Sequence, residues 1–228
     1  MPYNSAHTDL VLPIYSYAEA DRLANVTRGT SKRWIEGYKY RNEDGTVILR
    51  PPVSAPDGRE EGGVSFVDLI EVVAIGGLKE VGFSLPRIRT IVRDCEEIFG
   101  VQYPIASHRF ETDGRELFVQ HEGLLVGVLK RKWETAWREL LSPFLKQLEY
   151  RDGLAARWWP LGRDIPVVIE PQYGFGLPVV EGTGFRTEII AERFEHELEH
   201  EIAEEFGISA LEVKRALQFE ISRRDRAA

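Results

Sequence analysis

The tract from Ser16 to Arg50 limits what this chain can fold into more than any other part of it. Ser16 followed by Glu19 has the spacing of a capping box, in which hydroxyl and carboxylate satisfy each other's neighbouring amides at the start of a helix. Ala20, Leu23 and Ala24 then share one face. Asn25 comes next, one of the few residues besides glycine at home in a left-handed backbone, and Val26 can tuck beneath the turn. Thr27 is the expected cap of a second helix in RGTSKRWIEG, with Arg28, Lys32 and Arg33 outward and Trp34 and Ile35 inward. Tyr38–Arg41 and Thr46–Arg50 flank Asn42-Glu-Asp-Gly45, and Asp-Gly between β-prone runs marks a hairpin. Two short helices, a tight turn and a hairpin make a winged helix-turn-helix.

Charge sharpens that reading. The 228 residues carry a formal net charge of −8, which excludes a protein whose whole surface grips nucleic acid. The distribution is uneven, however. Between Arg22 and Arg50 seven Lys or Arg stand against three Asp or Glu, whereas Glu195 to Glu205 holds six glutamates and no basic residue. One end can meet phosphates and the other is repelled by them. The expected DNA contacts are Thr27, Arg28, Thr30, Lys32 and Arg33 on the second helix, with Lys39 and Arg41 on the hairpin. The bland alternative for the same residues is a solvated basic face on a helix pair.

Beyond the hairpin the pattern predicts an α+β chain, mainly helical, in three parts. Residues 1–100 hold the winged module: a proline- and glycine-rich surface loop from Pro51 to Gly63, then a helix from Ser65 through Glu80, then one from Ser84 through Phe99 closed by Gly100. Residues 101–163 form a hairpin and helix region. Asp113-Gly114 turns a second hairpin, Gly123–Leu129 adds strand, and Trp133, Trp137, Leu140, Leu141, Phe144, Leu145 and Leu148 line one helical face that Pro143 should kink. Pro160 to Pro166 leads into residues 164–228, a small helical domain with short strands at Val167–Glu170 and Pro178–Val180. Helices follow over Thr187–Glu195, Leu198–Phe206 and Leu211–Ile221, and then a basic tail with Arg223, Arg224 and Arg226.

Little in the sequence suggests covalent chemistry. His196-Glu-Leu-Glu-His200 spells H-E-x-x-H, which on one helix would set two imidazoles a turn apart on zinc with Glu197 as base. It lies in an acidic run with no histidine downstream, and a solvated or partner-facing acidic segment explains it more simply. Gly174-Phe-Gly176 and Gly182-Thr-Gly184 lack the spacing of a phosphate loop and read as tight turns. Cys95, the single cysteine, reads as an inert buried thiol. No catalytic residue, metal or cofactor is expected. With no export signal and no apolar run near 18 residues, the chain reads as cytosolic and unattached to membrane. A small ligand among Trp133, Trp137, Trp158 and Trp159 is the alternative to a purely structural aromatic stripe.

Tyr15-Ser-Tyr-Ala-Glu-Ala-Asp-Arg-Leu-Ala-Asn-Val-Thr, continued by Lys32-Arg-Trp-Ile, resembles the helix-turn-helix of the MerR family of transcription regulators over about the first hundred residues. Ser31 departs from the family's usual apolar position, and no long dimerisation coil or cysteine sensing loop follows, so effector sensing is not implied. Val168-Ile-Glu-Pro, Gly174-Phe-Gly-Leu-Pro-Val-Val-Glu-Gly-Thr183, Ile202-Ala-Glu-Glu-Phe-Gly207 and Val213–Glu220 resemble, in order, the domain of unknown function 433. A MerR-like head on such a tail is similar to VapB-type antitoxins encoded beside PIN-like ribonuclease toxins. The resemblance implies a dimer that binds operator DNA to repress its own operon and covers a cognate PIN-like ribonuclease toxin. Glu199, Glu204, Arg215, Arg223, Arg224 and Arg226 are the implied toxin contacts, either by arginines entering a carboxylate-lined cleft or by the acidic stretch meeting a basic rim. The alternative is a stand-alone MerR-like regulator answering a small ligand.

Overall fold

Ser65 starts the helix around which the rest is built. Its hydroxyl accepts from the Asp68 amide at 3.1 Å while the Asp68 carboxylate accepts from the Ser65 amide at 2.9 Å, a reciprocal cap that is itself buried. The structure, a computed structural model, describes residues 8–54, 62–108, 110, 135 and 137–227. In chain order come α1 (Thr8–Val11), α2 (Tyr17–Leu23), α3 (Thr30–Glu36), β1 (Tyr38–Arg41) and β2 (Val47–Arg50), then α4 (Phe66–Glu80) and α5 (Leu85–Phe99). A π-helical turn (Trp137–Leu141) leads into α6 (Ser142–Leu145), β3 (Leu148–Arg151) and β4 (Leu154–Trp158). The chain finishes with β5 (Val167–Val168), a 3₁₀ turn (Gly174–Gly176), β6 (Val179–Val180), α7 (Thr187–Phe194), α8 (Glu199–Phe206) and α9 (Ala210–Ala227). The class is α+β, mainly helical, with strands in three antiparallel pairs among the described residues.

Helix α4 is apolar on more than one face: Val67, Val72, Ala74 and Ile75 are buried as well as Phe66, Leu69, Ile70 and Leu78. A helix apolar on all sides belongs in the middle of a core, and α1, α2, α3, α5, β4 and the π-helical turn all pack on this one. The main core runs from Leu10 to Ile169, and a second one joins Val180, Ile190, Ile202, Ala203, Ile208, Val213 and Ala216 of the last segment. Distant parts of the chain are tied to the main core: the Tyr15 hydroxyl donates to the Gly176 carbonyl at 2.7 Å, Arg151 meets Asp9 at 2.5 Å, and Trp158 and Ile169 exchange backbone hydrogen bonds at 3.0 and 2.8 Å.

One charge-capable group lies inside that core. Glu71 is 1% exposed, and its Oε1 accepts from the amides of Ile105 and Ala106 at 2.8 and 3.0 Å. Burial raises its carboxyl pKa to about 8; the two amides pull the other way, and Glu96 and Asp68 add to the rise. The folded chain therefore keeps a proton that the unfolded chain gives up near the ordinary carboxyl value. Stability is full below that value and falls as pH climbs toward 8, by up to about 1.4 kcal/mol per unit. Glu71→Gln cannot ionise and is expected to remove this slope, read as urea midpoints between pH 5 and pH 8. A slope unchanged in the variant would assign it to other groups. Cys95 is buried in the same core, and burial pushes its thiol up, as an inert thiol requires.

The middle region departs from the sequence reading. The amphipathic helix does not reach Leu148: it widens into the π-helical turn, restarts at Ser142 with Pro143 in its first turn, and ends at Leu145, so that Leu148 begins β3. Pro143 donates no backbone hydrogen bond to the turn before it, which accounts for the widening there. Asp152 and Gly153, at φ 51° and 87°, then turn the β3–β4 hairpin, which the sequence reading did not include. In the Pro51–Gly63 loop, Val53 and Ser54 are buried rather than on the surface. The hairpin expected at Asp113-Gly114, the strand at Gly123–Leu129 and Trp133 lie outside the described residues.

Candidate nucleic-acid interface

The head is set by one buried carboxylate. Thr27 does not cap α3. That helix starts at Thr30 with Gly29 before it in a left-handed conformation (φ 79°), and no side chain of its own turn caps it. Instead Asp21, 3% exposed on α2, accepts the Gly29 amide on Oδ2 at 2.5 Å and the Ser31 amide on Oδ1 at 2.7 Å. A carboxylate from the first helix thus holds the first turn of the second and fixes the angle between them. The Ser16–Glu19 capping box is formed, and Asn25 takes the left-handed conformation at φ 55°.

On α3, Trp34 and Ile35 are buried and Lys32 and Arg33 are exposed, as the spacing predicts; Arg28 is exposed just ahead of it. Lys32 lies 3.8 Å from Glu36 and 5.6 Å above the Tyr17 ring. Arg33 donates to the Thr30 hydroxyl at 3.1 Å and pairs with no carboxylate among the described residues. Thr30 differs from its expected place. It is 5% exposed, its hydroxyl 3.1 Å from that of the exposed Thr27, so it positions the Arg33 guanidinium rather than presenting itself. Ser31 is fully buried, where the MerR pattern has an apolar residue.

The hairpin stands clear of the core. Its register pairs Lys39 with Leu49 and Arg41 with Val47, so two cations and two apolar side chains share one face. Val47 is 52% and Leu49 63% exposed. Tyr38 and Tyr40 are on the other face, where Arg50 donates to the Tyr40 hydroxyl at 3.1 Å. The base is rigid: Gly37 joins α3 to β1 at φ 73°, and Arg89 of α5 donates to the carbonyls of both Pro51 and Pro52 at 3.0 Å. Sequence reading missed Asp21 and Arg50. The signal for Asp21 was an acid on the same apolar face as Ala20 and Ala24.

The remaining candidates sit on the last three helices. The H-E-x-x-H residues straddle a break: α7 ends at Phe194, α8 begins at Glu199, and Glu197 is held by Arg193 of α7. His196 and His200 are therefore not a turn apart on one helix, and the arrangement zinc chemistry needs does not form. Glu199 pairs with Lys214 at 3.3 Å, Glu204 is exposed, and Arg215 donates to Gln218 at 2.8 Å. Arg223 is not in a loose tail. Helix α9 continues to Ala227, and the buried Glu220 accepts from Arg223 at 2.9 and 3.1 Å while also accepting from the Thr187 hydroxyl at 2.5 Å. The side chains of Arg224 and Arg226 lie outside the described residues. Of the tryptophans expected around a small ligand, Trp159 is stacked between Arg157 and Arg163, at 4.6 and 4.5 Å, and Trp158 is largely buried.

No helix among the described residues is long and apolar enough to cross a membrane. Residues 13–92 match the family described as "Putative DNA-binding HTH domain". Over 223 residues the chain is 25% identical to "Putative antitoxin VapB45" of Mycobacterium tuberculosis, across 90% of this chain and 93% of that one. It is 31% identical over 96 residues to "Uncharacterized protein Rv2308" of the same organism, which is 42% of this chain and 39% of the relative. The crystal structure of Rv2018 from Mycobacterium tuberculosis superposes with a TM-score of 0.67 at 23% identity, covering 90% of this chain and 98% of the other, and so shares its fold. The chain thus carries an N-terminal DNA-binding helix-turn-helix domain on a fold that extends through almost its whole length.

Proposed function

We propose that this protein is a type II antitoxin of the cytoplasm, a homodimer that represses its own operon through the winged head and neutralises a PIN-like ribonuclease toxin through its last three helices. The observation that carries the proposal is the exposure of Arg28, Lys32 and Arg33 at the second helix and of Lys39 and Arg41 on the wing, on a chain that is acidic overall. The full-length similarity to a protein named an antitoxin supports it, as does the resemblance of the C-terminal segment to the domain of unknown function 433. The protein acts by binding and breaks no covalent bond.

The toxin contact falls on the acidic helices, and Arg223 is engaged by Glu220. Glu188, Glu192, Glu201 and Glu204 are exposed along α7 and α8, and Phe194 and Leu198 are exposed between them. Charge steers a basic partner onto this surface and the two apolar side chains anchor it. Arg33→Ala is expected to weaken binding to the DNA upstream of the gene about tenfold and to lower the salt dependence by about one phosphate contact, leaving toxin neutralisation intact. Glu204→Arg is expected to do the reverse. Fluorescence anisotropy with labelled DNA and rescue of growth in cells expressing the neighbouring toxin gene measure the two. Loss of both activities in both variants would refute the division of labour.

A further inference from the structure

Among the described residues, nothing fills the space beside the recognition helix. A cleft of about 680 Å³ opens between the turn and start of α3 on one side and the π-helical turn with α6 on the other. That is the size of sites that take a drug-sized molecule. Its floor is the C-terminal half of α4, where Gly76 and Gly77 stand together inside a helix at a cost of about 1 kcal/mol each relative to alanine. The reason is steric. A Cβ on Gly77 would stand 2.6 Å from Leu140 Cδ2, and one on Gly76 would stand 3.3 Å from Val26 Cγ1. Two opposing walls approach α4 as closely as they do because those side chains are missing. One wall is the π-helical turn, a distortion that recurs where a helix lines a site.

The lining chemistry is specific. Trp34, Phe144 and Trp158 give the cleft aromatic walls. Of its charged residues, Glu139 is met by Arg138 at 2.8 Å, and Lys79 and Glu80, adjacent in the last turn of α4, carry one charge of each sign. Arg33 is left over, with the Thr30 hydroxyl as its partner and no carboxylate among the described residues. One uncompensated guanidinium at the mouth of an aromatic hollow matches a single negative charge on a planar apolar body.

We propose that the cleft binds a monoanionic aromatic acid, with its rings against the edge-to-face pair of Phe144 and Trp158, whose centroids are 6.2 Å apart, and its acid group on Arg33. A ligand seated there takes Arg33 away from DNA phosphate, so ligand and DNA exclude each other. That consequence rests on the DNA-binding reading above; the site itself does not.

Two fluorescent probes of similar shape separate charge from apolar fit: anilinonaphthalene sulfonate, an anion, and phenylnaphthylamine, which is neutral. The full chain is expected to bind the sulfonate saturably at one site. Arg33→Ala weakens it about tenfold, the loss of one charge-assisted contact, while phenylnaphthylamine changes less than twofold. Val73→Trp, which fills the floor from a half-exposed position, abolishes both signals with the circular dichroism spectrum unchanged. Saturating sulfonate raises the midpoint of wild-type binding to upstream DNA about tenfold. Equal sulfonate affinity in wild type and Arg33→Ala overturns the site, as does dye binding that survives Val73→Trp. Sulfonate and DNA bound together without mutual effect overturns the exclusion. If no DNA binds at all, the functional reading fails, and the comparison of the two probes decides the site by itself.

Discussion

Asp21→Ala is expected to lower the unfolding free energy by about 3 kcal/mol and to abolish DNA binding at concentrations where the wild type is saturated. Two amides, of Gly29 and Ser31, depend on its carboxylate. Hydrogen bonds to a charged group contribute about 1.5–3 kcal/mol each, and the loss of a helix cap costs about 1 kcal/mol, with partial relaxation lowering the sum. The effect on DNA binding is the more telling because Asp21 is buried and touches no nucleic acid. It sets the angle at which α3 presents Arg28, Lys32 and Arg33. Asp21→Asn keeps one acceptor oxygen and is expected to fall between the two. Urea denaturation and DNA anisotropy measure both, and a variant that loses stability yet binds DNA normally would mean that the cap does not orient the helix.

Gly37→Ala is the second large effect. Gly37 takes φ 73° with ψ −175°, a region that costs other residues of order 1–3 kcal/mol. An added Cβ would lie 2.5 Å from the Arg50 carbonyl oxygen, 3.0 Å from the Pro52 nitrogen and 3.1 Å from the Pro51 carbonyl carbon. All three are backbone, so no side chain can swing aside and the wing must move. A loss of about 3 kcal/mol and at least tenfold weaker DNA binding are expected, with the cross-strand contact between Tyr38 and Arg50 lost in nuclear Overhauser spectra. Gly45→Ala is the control. It also has positive φ, at 84°, but nothing lies within 4 Å of its Cβ position, so it is expected to cost only about 1 kcal/mol and to leave DNA binding intact.

What was legible in the sequence was local. The Ser16–Glu19 box, the left-handed Asn25 and the Asp44-Gly45 turn each depend on residues within four positions of one another, and each is present. What was illegible depends on distant partners. Thr27 looked like a cap because the Asp21 carboxylate can reach the amides only once α2 and α3 have packed. The helical spacing from Trp133 to Leu148 continued in the letters after Pro143 had broken it in the backbone, and that run concealed the Asp152-Gly153 hairpin even though it uses the same turn signal as the wing. Arg223 looked free because Glu220, one turn before it, is buried only when α9 lies against Thr187. The cationic edge was readable from charge counts. The cleft beside it was not, because its floor and walls come from three separate segments of the chain, residues 24–38, 73–85 and 139–160.

The grip of Glu71 on the amides of Ile105 and Ala106 determines where the molecule can be divided. A fragment ending at residue 100 would keep every element of the winged head and still leave that carboxyl with no amide to answer it, in a helix stripped of its cover. The winged head cut off there is expected to be less stable than the same residues within the full chain.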